Sequence, residues 1–330
     1  EFYNAYKAQM NYMISLLVNA DNAIDTAHAQ RCPLAFLSSM VEDCLSRGKT
    51  VQEGGAVYNF TGPQGFGVAN MADSLYAIKT LAFEQHAFTL AELKTVLALN
   101  YGKGFDAQSA AETACEVATN LQRQGREVSA DELAQIVRSV LTMELTPAQK
   151  ELCEKVYTLI DEAPKFGNDL PEVDLFARDV AYTYTKPLET FRNPRGGQFQ
   201  AGLYPVSANV PLGAQTGATP DGRLAHMPVA DGVSPSAGRD THGPTAACNS
   251  VAKLDHGIAS NGTLFNQKFH PSALSGSQGL LKFIDLIRSF FDQKGMHMQF
   301  NVVSRETLLV AFQKKSKIFA NKIENLSACF

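Results

Sequence analysis

The six cysteines and seven histidines of this 330-residue chain are the first places to look for chemistry, and neither set is spaced to hold a metal. Cys32, Cys44, Cys115, Cys153, Cys248 and Cys329 form no Cys-x-x-Cys pair, which argues against a zinc knuckle or a vicinal redox dithiol. Dispersed thiols of this kind suit a reducing, cytoplasmic setting. No two histidines stand four apart, so no metal site is expected. His270 and His297 sit at the ends of short β-prone runs and are the candidate general acids. No carboxylate is paired with either along the chain, so a hydrogen-bonded structural role is favoured for both. Asp221 and Arg223 in Pro-Asp-Gly-Arg, and Asp240, are expected to anchor turns, because Asp and Gly beside Pro favour them.

These groups belong to one stretch, Asn193–Leu274, dense in Gly, Pro, Asn, Asp, Ser and Thr. Short apolar runs at 202–210, 249–254 and 262–269 interrupt it, so it reads as long loops joined by short strands. Long loops in a compact domain usually carry function. A strand is expected over Leu203–Gly213, with alternate residues facing a lumen, and another over Asn261–Phe269. A last strand is expected at His297–Val303, followed by a helix that Ser304 caps.

Upstream elements would position this stretch. Tyr3, Tyr6, Met10, Met13, Ile14 and Leu17 make an apolar stripe on a helix over Phe2–Ala27. Leu34 to Leu45 predicts a second helix, started by Pro33, stopped by Gly48, with Cys44 as a core thiol. Gly62, Gly65 and Gly67 form a tight loop before a helix that starts near Asn70 or Asp73 and runs to Glu84. Gly-x-Gly before a helix can cradle phosphate, but the strand, spacing and acidic partner of a nucleotide fingerprint are missing. Thr89/Glu92, Ser129/Glu132 and Thr146/Gln149 have the capping-box spacing. They predict a helix over Thr89–Leu99 and two or three surface helices between Ser109 and Asp161, whose charges form a solvated face. Val173, Phe176, Ala177, Val180, Tyr184 and Leu188 predict an amphipathic helix to Phe191. Leu280–Phe291 predicts another. Strands alternating with helices indicate an α/β, barrel-like layout.

The ordered motifs GGAVYNFTGPQGFGVAN (54–70), APKFGND (163–169), GATPDGR (217–223), ADGVSPSAGRD (230–240), GPTA (243–246), SVAKLD (250–255) and NGTLFNQKF (261–269) resemble the glycyl radical enzymes, the pyruvate formate-lyase-like superfamily, and within it the diol-dehydratase branch. The resemblance runs from about Pro33 to Leu309. It implies the second half of a ten-stranded β/α barrel with a helical appendage: barrel wall and helices in 1–100, a helical insertion in 101–165, a second barrel half leading toward the glycyl radical domain in 166–310, and a divergent or truncated tail in 311–330. It implies radical elimination of water from a small diol or polyol. A glycyl radical, installed by an S-adenosylmethionine iron–sulfur activase, generates a thiyl radical on a cysteine loop.

Two expected pieces have no match here. No cysteine has the Gly-Cys-x-Glu context, and no glycine follows Gly295. The chain is therefore expected to be a piece of a longer polypeptide, with no catalytic residue of its own and no radical activity alone. A doublet glycyl radical signal on the 330-residue chain after anaerobic activation would contradict this. By the same resemblance Val206, Asn209 and Phe265 are candidate substrate-binding wall residues, equally readable as barrel packing. The implied partners are the activase, a diol-like substrate and, at full length, a second copy. Formate acetyltransferase-like acyl transfer, or a non-catalytic remnant or split-enzyme subunit, are the alternatives.

Composition bounds the rest. The formal net charge is −4, with no Trp and no basic run, which argues against nucleic acid as a partner. No run of eighteen apolar residues predicts a spanning helix, so no membrane is expected either.

Overall fold

The structure, a computed structural model, describes residues 1–104, 129, 132, 135 and 144–307. Its frame is a ladder of extended segments that follow one another in chain order. Residues 61–65 pair in parallel with 198–203, through bridges at Thr61–Phe199 and Gln64–Gly202. Strand β1 (Gly202–Leu203) pairs in parallel with β2 (Gly262–Thr263). The chain runs on into β3 (Asn266–Phe269), which pairs in parallel with β4 (Gln299–Val302). Parallel neighbours need long crossovers, and helices supply them.

Side-chain alternation gives the ladder two unlike faces. Pro63, Phe199, Ala201, Leu203, Thr263, Phe265 and Gln267 are buried on the helix side. Gln64 and Lys268 are exposed, and Gln200, Tyr204 and Asn266 half-buried, on the other side. Parallel sheets are ordinarily covered on both faces. Among the described residues, helices cover one face.

Helix α1 (Phe2–Arg31) lies on the covering layer: Tyr6 Oη and Thr183 Oγ1 are 3.1 Å apart, and Ile14 and Val18 are buried. The helix runs four residues past the expected end. Met13 and Leu17, expected in its buried stripe, are exposed. The single helix expected after Pro33 is two short pieces, α2 (Ala35–Ser39) and α3 (Cys44–Arg47). Asp43 separates them with φ +70°, outside the helical range. Gly48 ends the second piece at φ +62°, and Cys44 is buried, both as expected.

Helix α4 (Val68–Ala77) starts before Asn70 and continues to Glu84 as a wider π-type turn. With α7 (Pro171–Leu188) and α10 (Gly276–Asp292) it builds the main core around Ala69, Phe166, Val173, Ala177, Val251, Phe265 and Phe290.

Helices α5 (Leu90–Ala98) and α6 (Pro147–Glu162) start on the predicted capping boxes. They enclose a second core with Ile78, Leu81, Val96, Tyr101, Val156 and Ile160. Residues 147–162 are thus packed into the body of the chain. Ser129 and Glu132 also form their box. The other helices expected between 109 and 143, and the tail 311–330, lie outside the described residues.

The expected strand over 203–213 is corrected. It stops at Leu203, Pro205 removes a donor, Val206 takes φ +55°, and a short helix α8 (Asn209–Ala214) begins. The expected strand over 261–269 divides into β2 and β3, and β4 lies within the expected 297–303. Helix α9 (Pro244–Ala252) precedes β2. A closed ten-stranded barrel is not formed by the described residues; four parallel extended segments are.

Candidate functional site

The chemistry-bearing loops gather at one end of this ladder because a few buried polar groups tie them down. Asn70, in the first turns of α4, donates to Asp221 Oδ2 at 2.6 Å and Ser236 Oγ at 3.1 Å, and accepts from Ala230 N–H at 2.6 Å. One side chain thus fixes both the PDGR turn and the ADGVSPS loop. Asp221 also accepts the Thr219 hydroxyl at 2.5 Å. The buried Arg223 guanidinium donates to the carbonyls of Thr216, Gly217, Leu224 and Met227. Its Nε donates to Thr219 Oγ1 at 3.1 Å, so its capacity is spent within the loop, and Asp221 and Arg223 are loop anchors as the turn chemistry predicts. Gly232 lies against the ladder itself: a Cβ there would be 2.4 Å from the Leu264 carbonyl oxygen.

Behind these anchors Asp73 is fully buried in α4. One carboxylate oxygen accepts Phe166 N–H at 2.8 Å, and the other has no partner. Burial pushes its pKa well up, and the nearby Asp221 carboxylate adds to the effect. Lys165, also buried, donates to the Ala163 carbonyl at 2.8 Å and to that of Ile160, closing the end of α6. Burial lowers its pKa. The APKFGND motif is therefore a structural junction. Asp240, whose carboxyl burial pushes up, lies at the cavity described next.

The loops enclose a cavity of about 960 Å³, lined among others by Asn70, Asn209, Asp231, Arg239, Phe265 and Asn266. Arg239 is held by an ion pair with Asp161. Asn266 donates to Asp231, and its backbone N–H donates to Ser234 Oγ at 3.0 Å. The side-chain oxygens of Asn209, Asn266 and Gln267 are buried without a hydrogen-bond partner.

The predicted wall residues are divided. Asn209 and Phe265 line the cavity. The Phe265 ring faces the helices, 5.5 Å from that of Phe290, at 43°. Val206 does not line the cavity; it is 72% exposed in the turn after β1, beside the uncovered face. His270 caps the next turn, with Nδ1 2.7 Å from Ser272 Oγ, and His297 Nδ1 accepts Phe265 N–H at 3.4 Å. Both contacts are structural; His270 also lines the cavity, whereas His297 does not. Tyr204 and Asn261, not singled out by the sequence, lie across the uncovered face and share a hydrogen bond of 2.9 Å. Only a strand register would have brought them together.

Among the described residues no group of three metal-ligating side chains forms, and no helix is long and apolar enough to cross a membrane.

Comparison with known proteins accounts for the architecture. Residues 1–213 match the family model "Pyruvate formate lyase-like", and residues 229–318 match "Glycine radical". The chain is 35% identical to the probable dehydratase YbiW of Escherichia coli (strain K12), over 94% of this chain and 34% of that protein. It is 31% identical to the trans-4-hydroxy-L-proline dehydratase of Clostridioides difficile, over 94% of this chain and 33% of that protein. A solved structure describing 1,2-propanediol dehydration in Roseburia inulinivorans aligns at 63% identity and TM-score 0.87, covering 94% of this chain and 37% of that one. The chain thus spans about a third of the length of the relatives it matches. No glycine follows Gly295, so residues 296–330 hold no seat for a backbone glycyl radical. With two family models matched in chain order, and with the ADGVSPS and NGTLFNQKF segments folded together around one cavity, this chain belongs to the pyruvate formate lyase-like family of glycyl radical enzymes.

Proposed function

We propose that this chain forms about a third of a glycyl radical dehydratase that removes water from a small diol. The supporting observation is the 63% identity and TM-score of 0.87 to the Roseburia inulinivorans propanediol-dehydrating structure over 94% of the chain. Identity of 48%, with TM-score 0.75, to a glycerol-bound dehydratase from Clostridium butyricum points to the same class. In this reading the uncovered face of the parallel ladder is the wall of the reaction chamber. Val206 and Asn209 belong to its substrate side, and Phe265 backs it from the helix layer. The thiol loop and the glycyl loop come from polypeptide outside these residues, and a radical S-adenosylmethionine activase installs the radical. Water exclusion then follows from covering the open face.

The test uses the polypeptide that carries this chain, activated anaerobically with its activase and supplied with 1,2-propanediol or glycerol. Formation of the corresponding aldehyde supports the reading. A glycyl radical signal without loss of water from either diol contradicts it.

A further inference from the structure

On the uncovered face, Gly62, Gly202 and Gly262 lie on neighbouring extended segments, so a strip of that face carries no Cβ. Glycine inside a strand often marks a close approach. Two side chains occupy the strip. A Cβ on Gly62 would be 2.3 Å from Asn261 Nδ2, and one on Gly202 would be 2.5 Å from Tyr204 Cε1 and 2.9 Å from Asn261 Nδ2. The Asn261 amide donates to the Gly62 carbonyl at 3.1 Å and to the Tyr204 hydroxyl at 2.9 Å. Both amide protons are thereby used, one to fix Asn261 to the backbone and one to fix the phenol.

The Tyr204 oxygen is an acceptor in that bond, so its own proton is left for another acceptor. Tyr204 is only half-buried and precedes the turn that carries Val206. Its hydroxyl is therefore a donor fixed in place on the face that no helix among the described residues covers. In α/β sheets, ligands gather outside the carboxyl ends of the strands, and Tyr204 follows the last residue of β1.

We propose that Asn261 is a positioning residue that holds the Tyr204 hydroxyl on this face so that its free proton is donated to a substrate oxygen. The inference rests on the reading of this face as the chamber wall. It names a polar contact that the wall residues Val206 and Phe265 cannot supply.

Three variants of the polypeptide carrying this chain test it: Tyr204→Phe, Asn261→Ala and the double variant. KM and kcat are read for 1,2-propanediol, beside the thermal midpoint of each. Loss of one neutral hydrogen bond predicts a KM about five- to tenfold higher in Tyr204→Phe, with kcat within about twofold and an unchanged midpoint. Asn261→Ala raises KM comparably, and the double variant is no worse than the worse single, because Asn261 acts through Tyr204. An unchanged KM in Tyr204→Phe, with diol still turned over, overturns the proposal and leaves the functional reading standing. Effects that multiply in the double variant also overturn it.

A polypeptide that turns over no diol sinks the functional reading instead. The positioning then rests on the ¹³Cζ resonance of Tyr204 in the labelled 330-residue chain. A resonance that moves in Asn261→Ala supports it, and one that stays in place overturns it.

Discussion

The Asp73 carboxylate accepts the Phe166 backbone N–H at 2.8 Å, joining α4 to the turn between α6 and α7 across 93 residues of sequence. Its second oxygen is buried and unpaired, so the ionised form is poorly served. The folded pKa lies above the unfolded one. Below the usual carboxylate value of about 4 the contribution to stability is complete, and it is lost as pH rises through the raised folded value. Lys165 and Arg239 nearby oppose the shift without cancelling it. Asp73→Asn keeps an acceptor for Phe166 and removes the charge. It should gain on the wild type in urea midpoint between pH 5 and pH 8. Asp73→Ala strands a buried N–H and should cost about 1–3 kcal/mol at pH 5. A wild-type-minus-Asn difference that does not vary with pH would show that Asp73 is not held in its acid form.

Lys253 Nζ lies 2.6 Å from Asp169 Oδ1 and 2.8 Å from Asp174 Oδ2. The Asp174 side chain is fully buried, and burial raises its pKa even against the lysine. Removing the cation leaves that carboxylate unpaired. Lys253→Ala should destabilise the chain by on the order of 2 kcal/mol or more, the lysine's partial exposure tempering the full cost of a broken buried pair. Chemical denaturation at neutral pH reads it. Restoration by adding Asp174→Asn would confirm the cause.

A Cβ on Gly197 would stand 1.6 Å from the Asn59 carbonyl oxygen, whereas one on Gly217 meets nothing within 4 Å. Gly197→Ala must therefore push the 54–61 segment off the ladder, at about 1–3 kcal/mol or more. Gly217→Ala should fall within about 0.5 kcal/mol of wild type. Paired thermal melts decide it, and equal losses would mean that Asn59 does not pack there.

Thr89 accepts Glu92 N–H at 3.1 Å, and Glu92 returns a carboxylate to Thr89 N–H at 2.7 Å. Thr89→Ala should cost about 1 kcal/mol. Because α5 is packed against α6 in the second core, the loss should appear in global unfolding and not only in local fraying of amide exchange.

Local chemistry was legible wherever it was self-contained. Thr89/Glu92 and Thr146/Gln149 announce their helices because a capping box needs only four residues. Val173, Ala177, Val180 and Leu188 announce α7 because one face repeats at helical spacing. Breaks set by a single backbone angle were not legible. Asp43 and Val206 both take positive φ, which nothing in their residue type demands, so one helix became two and one strand ended early. The site was legible in its loops and not in its pairings. Asn70 with Asp221, and Asn261 with Tyr204, meet over separations of 151 and 57 residues; the first depends on α4 packing against the PDGR turn, the second on the parallel register of the ladder. The face on which Phe265 lies depends on that register too: a one-residue slip would turn it from the helices to the open side.

In the proposed function, the uncovered face of this ladder is the chamber wall of a diol-dehydrating radical enzyme. The most direct measurement replaces the matching third of the Roseburia inulinivorans propanediol-dehydrating enzyme with residues 1–307 of this chain. The chimera is then activated anaerobically, and conversion of 1,2-propanediol is followed. The account predicts a glycyl radical signal and conversion of the diol to propanal. A folded, radical-bearing chimera that leaves the diol untouched would contradict it.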